Sequence, residues 1–377
     1  MLKKNILLLI HNISNGGAEK VACDIADMLS KNNNVYIAVM NLEKNSYETD
    51  INIINLNIKR NFFGIINGIK KVKKIKKQYK IDTTISFLIH ANLINVFSKY
   101  KDKTIITIHN IISKQNKGKI IEKLHVISCK KADKIVAVSE GIKQDQIKKF
   151  KLNKDSINVI YNPCNVEKII ELSKEKFNDN EIYTKNYIIN IGRLIPQKNQ
   201  EELIKKFSKI SKQYEDLKLL ILGDGFLKNS LEELTQKLNL EEKVIFLGFV
   251  KNPYKYIANA KAFVLTSDYE GLPTVILESI ACKTPIVSYD CFAGPREILY
   301  DKEKIDYDYD KKINKIKENE FSILTDSNNF ENSVLKVLKN NKYKNYISKN
   351  YNNILYRFNF ENIAKKWEEI IWKIFYL

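Results

Sequence analysis

Arginine is scarce in this chain: of 63 basic residues, only Arg60, Arg193, Arg296 and Arg357 carry a guanidinium. A formal charge of +19 would by itself suit nucleic acid, but base-reading surfaces lean on Arg forks, so the shortage argues against such a partner. The surplus of lysine, with Asn and Ile also abundant, reads as a bias of the whole composition. Each arginine is therefore worth placing. The five cysteines (Cys23, Cys129, Cys164, Cys282, Cys291) are odd in number, widely spread and form no C-x-x-C pair, which excludes a disulfide framework and a zinc site and leaves reduced thiols. No run approaches the ~18 apolar residues of a membrane span. The apolar start, Ile6 to Ile10, is too short for a signal peptide, so a cytoplasmic location is expected. Neither G-x-G-x-x-G nor a P-loop occurs, which counts against dehydrogenase and ATPase chemistry. No nucleophile stands beside a recognisable base.

What is present is two domains' worth of alternating pattern. A length of 377 residues, with 44% apolar and 28% charged, is that of a globular chain with two cores. Short β-branched runs (Asn5–Ile10, Val35–Met40, Thr84–Ile89, Thr104–Ile108, Ile135–Val138) alternate with stretches of helical period. The second half repeats this with Tyr187–Ile191, Leu217–Leu222, Val244–Leu247, Ala262–Leu265 and Pro285–Ser288, separated by amphipathic segments such as Gln200–Gln213 and Phe226–Asn239. Such βαβ order predicts two α/β, Rossmann-like domains with parallel sheets covered on both faces. All six prolines lie from Pro163 onward and all four histidines before it. The expected domains are residues 1–165 and 186–358, with a linker at about 162–185. A stripe at helical spacing, Ile363, Trp367, Ile370, Ile371, Ile374 and Phe375, needs a surface to cover it, and the first domain is the expected one.

Three segments carry chemistry. After the first strand, Ser14-Asn15-Gly16-Gly17-Ala18-Glu19 opens an amphipathic helix. Two glycines let a backbone approach an anion that the helix N-terminus attracts, although a plain turn with an Asn cap has the same composition. Gly192-Arg193-Leu194-Ile195-Pro196-Gln197-Lys198-Asn199 runs from a strand end into a helix and sets Arg193 and Lys198 at the carboxyl edge of a sheet. There they can neutralise a diphosphate or simply stand in solvent. In Tyr269-Glu270-Gly271-Leu272-Pro273-Thr274-Val275-Ile276-Leu277-Glu278, two carboxylates eight apart flank a helix start; helical periodicity would put both on one face, reaching one elongated ligand. Capping and pairing within the helix is the competing use.

Together with Leu222-Gly223-Asp224-Gly225 and Leu247-Gly248-Phe249, these segments resemble the family 4 glycosyltransferases of the GT-B fold, over nearly the whole chain and most closely from 187 to 298. The resemblance implies two Rossmann-like domains facing each other across a cleft. The first would bind the acceptor and the second a nucleotide sugar, which is a co-substrate rather than a cofactor. It implies that Arg193 and Lys198 grip the donor diphosphate in place of a metal, since no D-x-D closes a suitable strand. Gly16, Gly17, Thr274 and Val275 would add backbone amides at the phosphates. Glu270, Gly271, Leu272 and Pro273 would hold the sugar, and Glu278, Phe249 and Val250 the nucleoside. Similar proteins place a His or an acidic residue where His109 stands, near the sugar and the leaving phosphate; His11 is the second choice. The implied outcome is retention without an enzyme nucleophile. A GT-B-fold epimerase or phosphorylase is the nearest alternative enzyme, and a basic nucleic-acid-binding protein the alternative outside enzymes.

The acceptor side is marked by charge. Seven lysines between Lys70 and Lys80 share a predicted helix with Ile65, Ile66, Ile69, Val72, Ile75 and Tyr79, so one face is apolar and the other cationic. Such a helix suits an anionic leaflet, and a core-packed helix with a solvated Lys face has the same pattern. Lys114, Lys117, Lys119 and Lys123 extend the basic character. The expectation is a peripheral enzyme on the inner face of the cytoplasmic membrane, acting on a lipid-linked glycan or lipopolysaccharide. Cys291-Phe292-Ala293-Gly294-Pro295-Arg296-Glu297 resembles a variant in the branch that builds surface polysaccharide and lipid-linked oligosaccharide, often from UDP-sugars, with Arg296 serving Glu270, the sugar or a structural ion pair.

Overall fold

The computed structural model describes residues 3–14, 16–42, 47, 49–59, 61–115, 118–177, 186–300 and 316–373. Contacts divide the chain into one unit of residues 1–163 with 358–377, and a second of residues 164–357. Asn15, Arg60, Lys117, Ile374, Phe375 and residues 178–185 of the expected linker lie outside the described residues.

In the first unit, seven runs pair in parallel: β1 (Asn5–Ile10), β2 (Asn34–Val39), β3 (Asn52–Asn55), β4 (Thr83–Phe87), β5 (Lys103–Ile108), β6 (Lys134–Ala137) and β7 (Ile157–Val159). Their order is β3-β2-β1-β4-β5-β6-β7, so the chain reverses its march across the sheet between β1 and β4. Ile6 to Ile10 are fully buried, as a strand covered on both faces requires. The expected run Thr84–Ile89 ends early. Leu88 turns the chain at φ 71°, ψ 160°, a left-handed conformation costly for a branched residue, and Ile89 already begins the helix Ile89–Phe97. Continuous apolar character hides that turn. The closing helix Phe360–Lys373 buries Ile363, Trp367, Ile370 and Ile371, and Glu368 accepts a hydrogen bond from Asn32 Nδ2 at 2.9 Å, beside the first helix, Gly17–Ser30.

The lysine-rich helix, Phe62–Gln78, packs most of its apolar face inward. Val72 and Ile75 are buried in the core and Ile65, Ile69 and Tyr79 pack against it, so most of the apolar face is already covered by protein; Ile66 alone points outward, with Phe63. Nor are the lysines all solvated. Lys76 is buried, its Nζ 2.9 Å from a carboxylate oxygen of the equally buried Asp102. Lys70, Lys73, Lys74 and Lys77 remain exposed, as do Lys114, Lys119 and Lys123.

The second unit has β8 (Tyr187–Ile191), β9 (Lys218–Leu222), β10 (Val244–Gly248), β11 (Ala262–Leu265), β12 (Ile286–Tyr289), β13 (Lys317–Glu318) and β14 (Ser322–Thr325). The order is β10-β9-β8-β11-β12-β14-β13, parallel except for β13 against β14, and its reversal falls between β8 and β11. Leu203, Ile204, Phe207 and Ile210 of the helix Gln200–Ile210 cover one face, fully buried at the i, i+3, i+4 spacing of an amphipathic helix. Among the described residues, no helix is long and apolar enough to cross a membrane.

Candidate active site

In an open α/β sheet the crevice for ligands lies beyond the carboxyl ends of the strands, where the strand order reverses. In the second unit that is the gap after β8 and β11, and two segments singled out in the sequence emerge there. After β8 the chain does not enter a helix directly: Pro196–Lys198 form a single 3-10 turn, with proline at its first position and Asn199 left-handed at φ 51°, before the helix Gln200–Ile210. Pro presets the turn and Asn tolerates the left-handed region, so the sequence Pro-Gln-Lys-Asn itself explains why Lys198 is turned back. The loop is laced to the one after β11. Gln197 Nε2 donates to the Tyr269 carbonyl at 2.9 Å, Asp268 N to the Gln197 carbonyl at 3.0 Å and Asn199 Nδ2 to Asp268 Oδ1 at 3.1 Å. These contacts are not legible in the sequence, because the partners lie some 70 residues apart in the chain.

The lacing brings Lys198 and Glu270 together, Nζ to Oε1 at 2.5 Å, with the side chains 16% and 6% exposed. Arg193, by contrast, is exposed and has no carboxylate partner among the described residues. Its loop is braced from below: Leu194 N donates to the Asp224 carbonyl at 2.9 Å, and Gly223, at φ +130°, lies so near that a Cβ there would stand 2.1 Å from the Gly192 carbonyl oxygen. Glycine at 223 is thus what lets the two strand-end loops touch.

Gly271, Leu272 and Pro273 are buried, and the following helix, Thr274–Ala281, starts without a side-chain cap, leaving Thr274 and Val275 half-buried at its amino end. The turn is held from the other side by the Cys291–Gly294 loop, through a bridge of Tyr269 with Phe292 and a hydrogen bond from Gly294 N to the Gly271 carbonyl at 3.2 Å. Arg296 pairs with Asp290 at 2.5 Å, both side chains buried, which is the structural ion pair. Burial first, and then the Glu270 carboxylate, pushes the Cys291 thiol well above its usual pKa, so it stays protonated. The helical-face relation between the two glutamates is corrected: Glu270 precedes the helix, so no helical period links it to the buried Glu278, and Lys198 is what positions it. Phe249, 41% exposed, and the half-buried Val250 follow β10.

The first unit sets Gly16, Gly17 and His11 after β1, at its own reversal, and His109 after β5. Gly16 caps the helix Gly17–Ser30 with no side-chain cap bond, and a Cβ at Gly17 would meet nothing within 4 Å. His109 follows β5. Its Nε2 lies 2.9 Å from Thr107 Oγ1, its ring packs on Phe87 with centroids 5.4 Å apart, and burial lowers its pKa to about 3, so the imidazole is neutral. His11, after β1, has its Nδ1 3.2 Å from Met40 Sδ.

The family model described as glycosyl transferases group 1 matches residues 173–353, and that described as glycosyltransferase family 4 matches residues 15–168. An uncharacterized glycosyltransferase of Methanocaldococcus jannaschii is 31% identical over 343 residues, 82% of this chain and 84% of that protein. The N-acetylgalactosamine-N,N'-diacetylbacillosaminyl-diphospho-undecaprenol 4-alpha-N-acetylgalactosaminyltransferase of Campylobacter jejuni is 32% identical over 314 residues, 78% of this chain and 83% of its own. The crystal structure of HepE from Anabaena in complex with UDP-glucose shares the fold, with a TM-score of 0.78 at 18% identity over 98% of this chain and 99% of that one. Two such units, each matched in turn by a glycosyltransferase model, and relatives above 30% identity over more than three quarters of the sequence make this chain a member of glycosyltransferase family 4, an enzyme of the GT-B fold.

Proposed function

We propose that this glycosyltransferase moves a hexose or N-acetylhexosamine from a UDP-linked donor, with retention, to a lipid-linked glycan or lipopolysaccharide. The observation that carries the reading is the Lys198–Glu270 pair at the strand-order reversal, next to the exposed Arg193, which has no carboxylate partner among the described residues. A nucleoside diphosphate brings negative charge to that edge. Arg193 offers a planar fork and Lys198 a point charge, and together they stabilise the departing diphosphate without a metal. Glu270 meets the sugar hydroxyls while keeping Lys198 in place, the amide groups of Thr274 and Val275 approach the phosphates, and Glu278 with Phe249 and Val250 takes the nucleoside.

The bond from the anomeric carbon to the phosphate oxygen breaks as the acceptor oxygen attacks from the same face, and the acceptor proton passes to that phosphate oxygen. No enzyme nucleophile and no cofactor is required. Gly16 and Gly17 supply amides for phosphate in the first unit. Neither packing nor backbone angle demands glycine at 17, which supports a ligand's approach as its reason. His109 serves the acceptor side. The donor and acceptor classes follow the Campylobacter relative and the UDP-glucose held by the Anabaena protein. The exposed Lys70, Lys73, Lys74 and Lys77, with Phe63 and Ile66, supply contact with an anionic cytoplasmic leaflet by charge, each lysine contributing ~1 kcal/mol.

A screen of nucleotide sugars for slow hydrolysis, in the presence of EDTA, tests the donor. UDP at a hundredfold excess over its Kd should stabilise the protein by ~2.7 kcal/mol. A flat melt at millimolar UDP, or transfer lost to EDTA, would overturn the reading. Reversing Lys73, Lys74 and Lys77 should weaken binding to anionic vesicles.

A further inference from the structure

The hydrogen bonds around His109 fix more than its position. Thr107 has one hydroxyl hydrogen and two close neighbours: the Ser86 carbonyl oxygen at 2.8 Å and His109 Nε2 at 2.9 Å. A carbonyl oxygen can only accept. If the threonine hydrogen points to the carbonyl, then Nε2 must carry a proton and donate it to Oγ1, and both contacts are satisfied. In the other tautomer Nε2 would take the hydroxyl hydrogen, leaving Oγ1 and the Ser86 carbonyl oxygen 2.8 Å apart with nothing between them.

That second arrangement has no room to relax. Ser86 and Thr107 are buried, at 0% and 1% exposure. Asn92 holds both: its Oδ1 accepts from Ser86 Oγ at 2.8 Å and its Nδ2 donates to the Thr107 carbonyl at 3.1 Å. Asn95 Nδ2 adds a bond to Ser86 Oγ at 3.1 Å, and Asn95 Oδ1 accepts from the buried Lys76 at 2.9 Å. A continuous set of bonds therefore runs from the Lys76–Asp102 pair to the imidazole, while Nδ1 of His109 has no hydrogen-bond partner among the described residues.

We infer that Thr107 is a positioning residue that keeps His109 as the Nε2–H tautomer and presents Nδ1 as a bare acceptor, so that His109 recognises a hydroxyl group of the substrate rather than a phosphate oxygen. The inference rests on the proposed acceptor-side role of His109. It also sharpens that role: a ring whose one N–H is committed to Thr107 has none to give an anion, and its free nitrogen can only accept.

The test uses the full chain labelled with 15N-histidine. Four histidines give a readable long-range proton–nitrogen spectrum, and His109→Gln identifies the signals of interest. At neutral pH the wild type should show Nε2 protonated and Nδ1 unprotonated at His109. Thr107→Val should convert this to a tautomer mixture and lower kcat severalfold, and Thr107→Ser should restore both. An Nδ1–H tautomer in the wild type, or an unchanged spectrum in Thr107→Val, would overturn the proposal. Because the spectrum is recorded without substrate, a wrong role for His109 shows separately, as undiminished transfer by His109→Gln.

Discussion

Lys76 with Asp102 and Lys198 with Glu270 join the same charges at similar separations, 2.9 and 2.5 Å, yet they belong to different parts of the molecule's work. The first pair is fully buried beneath the first sheet. Desolvation pulls the Lys76 pKa down to about 8 against the attraction of Asp102, and Thr84 and Asn95 take up the remaining hydrogen-bonding capacity. The second pair stands at a strand-order reversal, partly open on the lysine side, on a loop next to an exposed arginine. A buried pair satisfied on all sides has nothing left to offer a ligand; one at a sheet edge does. Location and residual exposure separate a structural ion pair from a functional one, and the charges themselves do not.

The comparison can be broken most severely at the buried pair. Lys76→Met leaves the Asp102 carboxylate without its counter-charge in the interior and should cost about 3–5 kcal/mol, read as a fall in the denaturant midpoint. The kcat per folded molecule should change far less than the stability. Glu270→Ala and Arg193→Ala should do the reverse, lowering kcat/KM about 10²–10³-fold with little change in melting temperature. Should Glu270→Ala unfold the protein while Lys76→Met only slows it, the assignments would have to be exchanged.

Two glycines extend the contrast. Gly223→Ala forces a side chain into the left-handed region against the Gly192 carbonyl and should destabilise by about 1–3 kcal/mol. Gly17→Ala meets no protein atom and should leave the melt unchanged while raising KM for the donor. The smallest effect is expected at a third, surface carboxylate. Hydrogen bonds from Lys336, then Tyr343, hold the Glu318 pKa down at about 2. Its stabilisation is complete above the ordinary glutamate value and is lost as the pH falls from there toward 2. Glu318→Gln should flatten that limb of an acid-unfolding curve.

Much of the site was legible because its residue types are demanding. Glycine before a helix, proline at a turn, and arginine in a chain nearly devoid of it each narrow the choices locally, and the strands Asn5–Ile10, Tyr187–Ile191 and Ala262–Leu265 could be bounded from apolar runs alone. The strands Asn52–Asn55 and Ser322–Thr325 escape such bounding, being short and polar at their ends. Spacing misled at Glu270 and Glu278, because helical periodicity was applied across a turn that is not helical. It also left open the use of the lysine-rich helix, most of whose apolar face proves to be packed in the core.

The sequence by itself determined the alternation of strand and helix, the two-unit organisation it implies, and the segments that end at sheet edges, since these follow from periodicity and backbone preference within a few residues. Only the tertiary structure decided that Lys198 meets Glu270, that Lys76 turns inward to Asp102, and that Thr107 faces both a carbonyl and an imidazole. Most of those partners lie far apart in the chain, and what a charge or a hydroxyl can do depends on which neighbours remain to satisfy it.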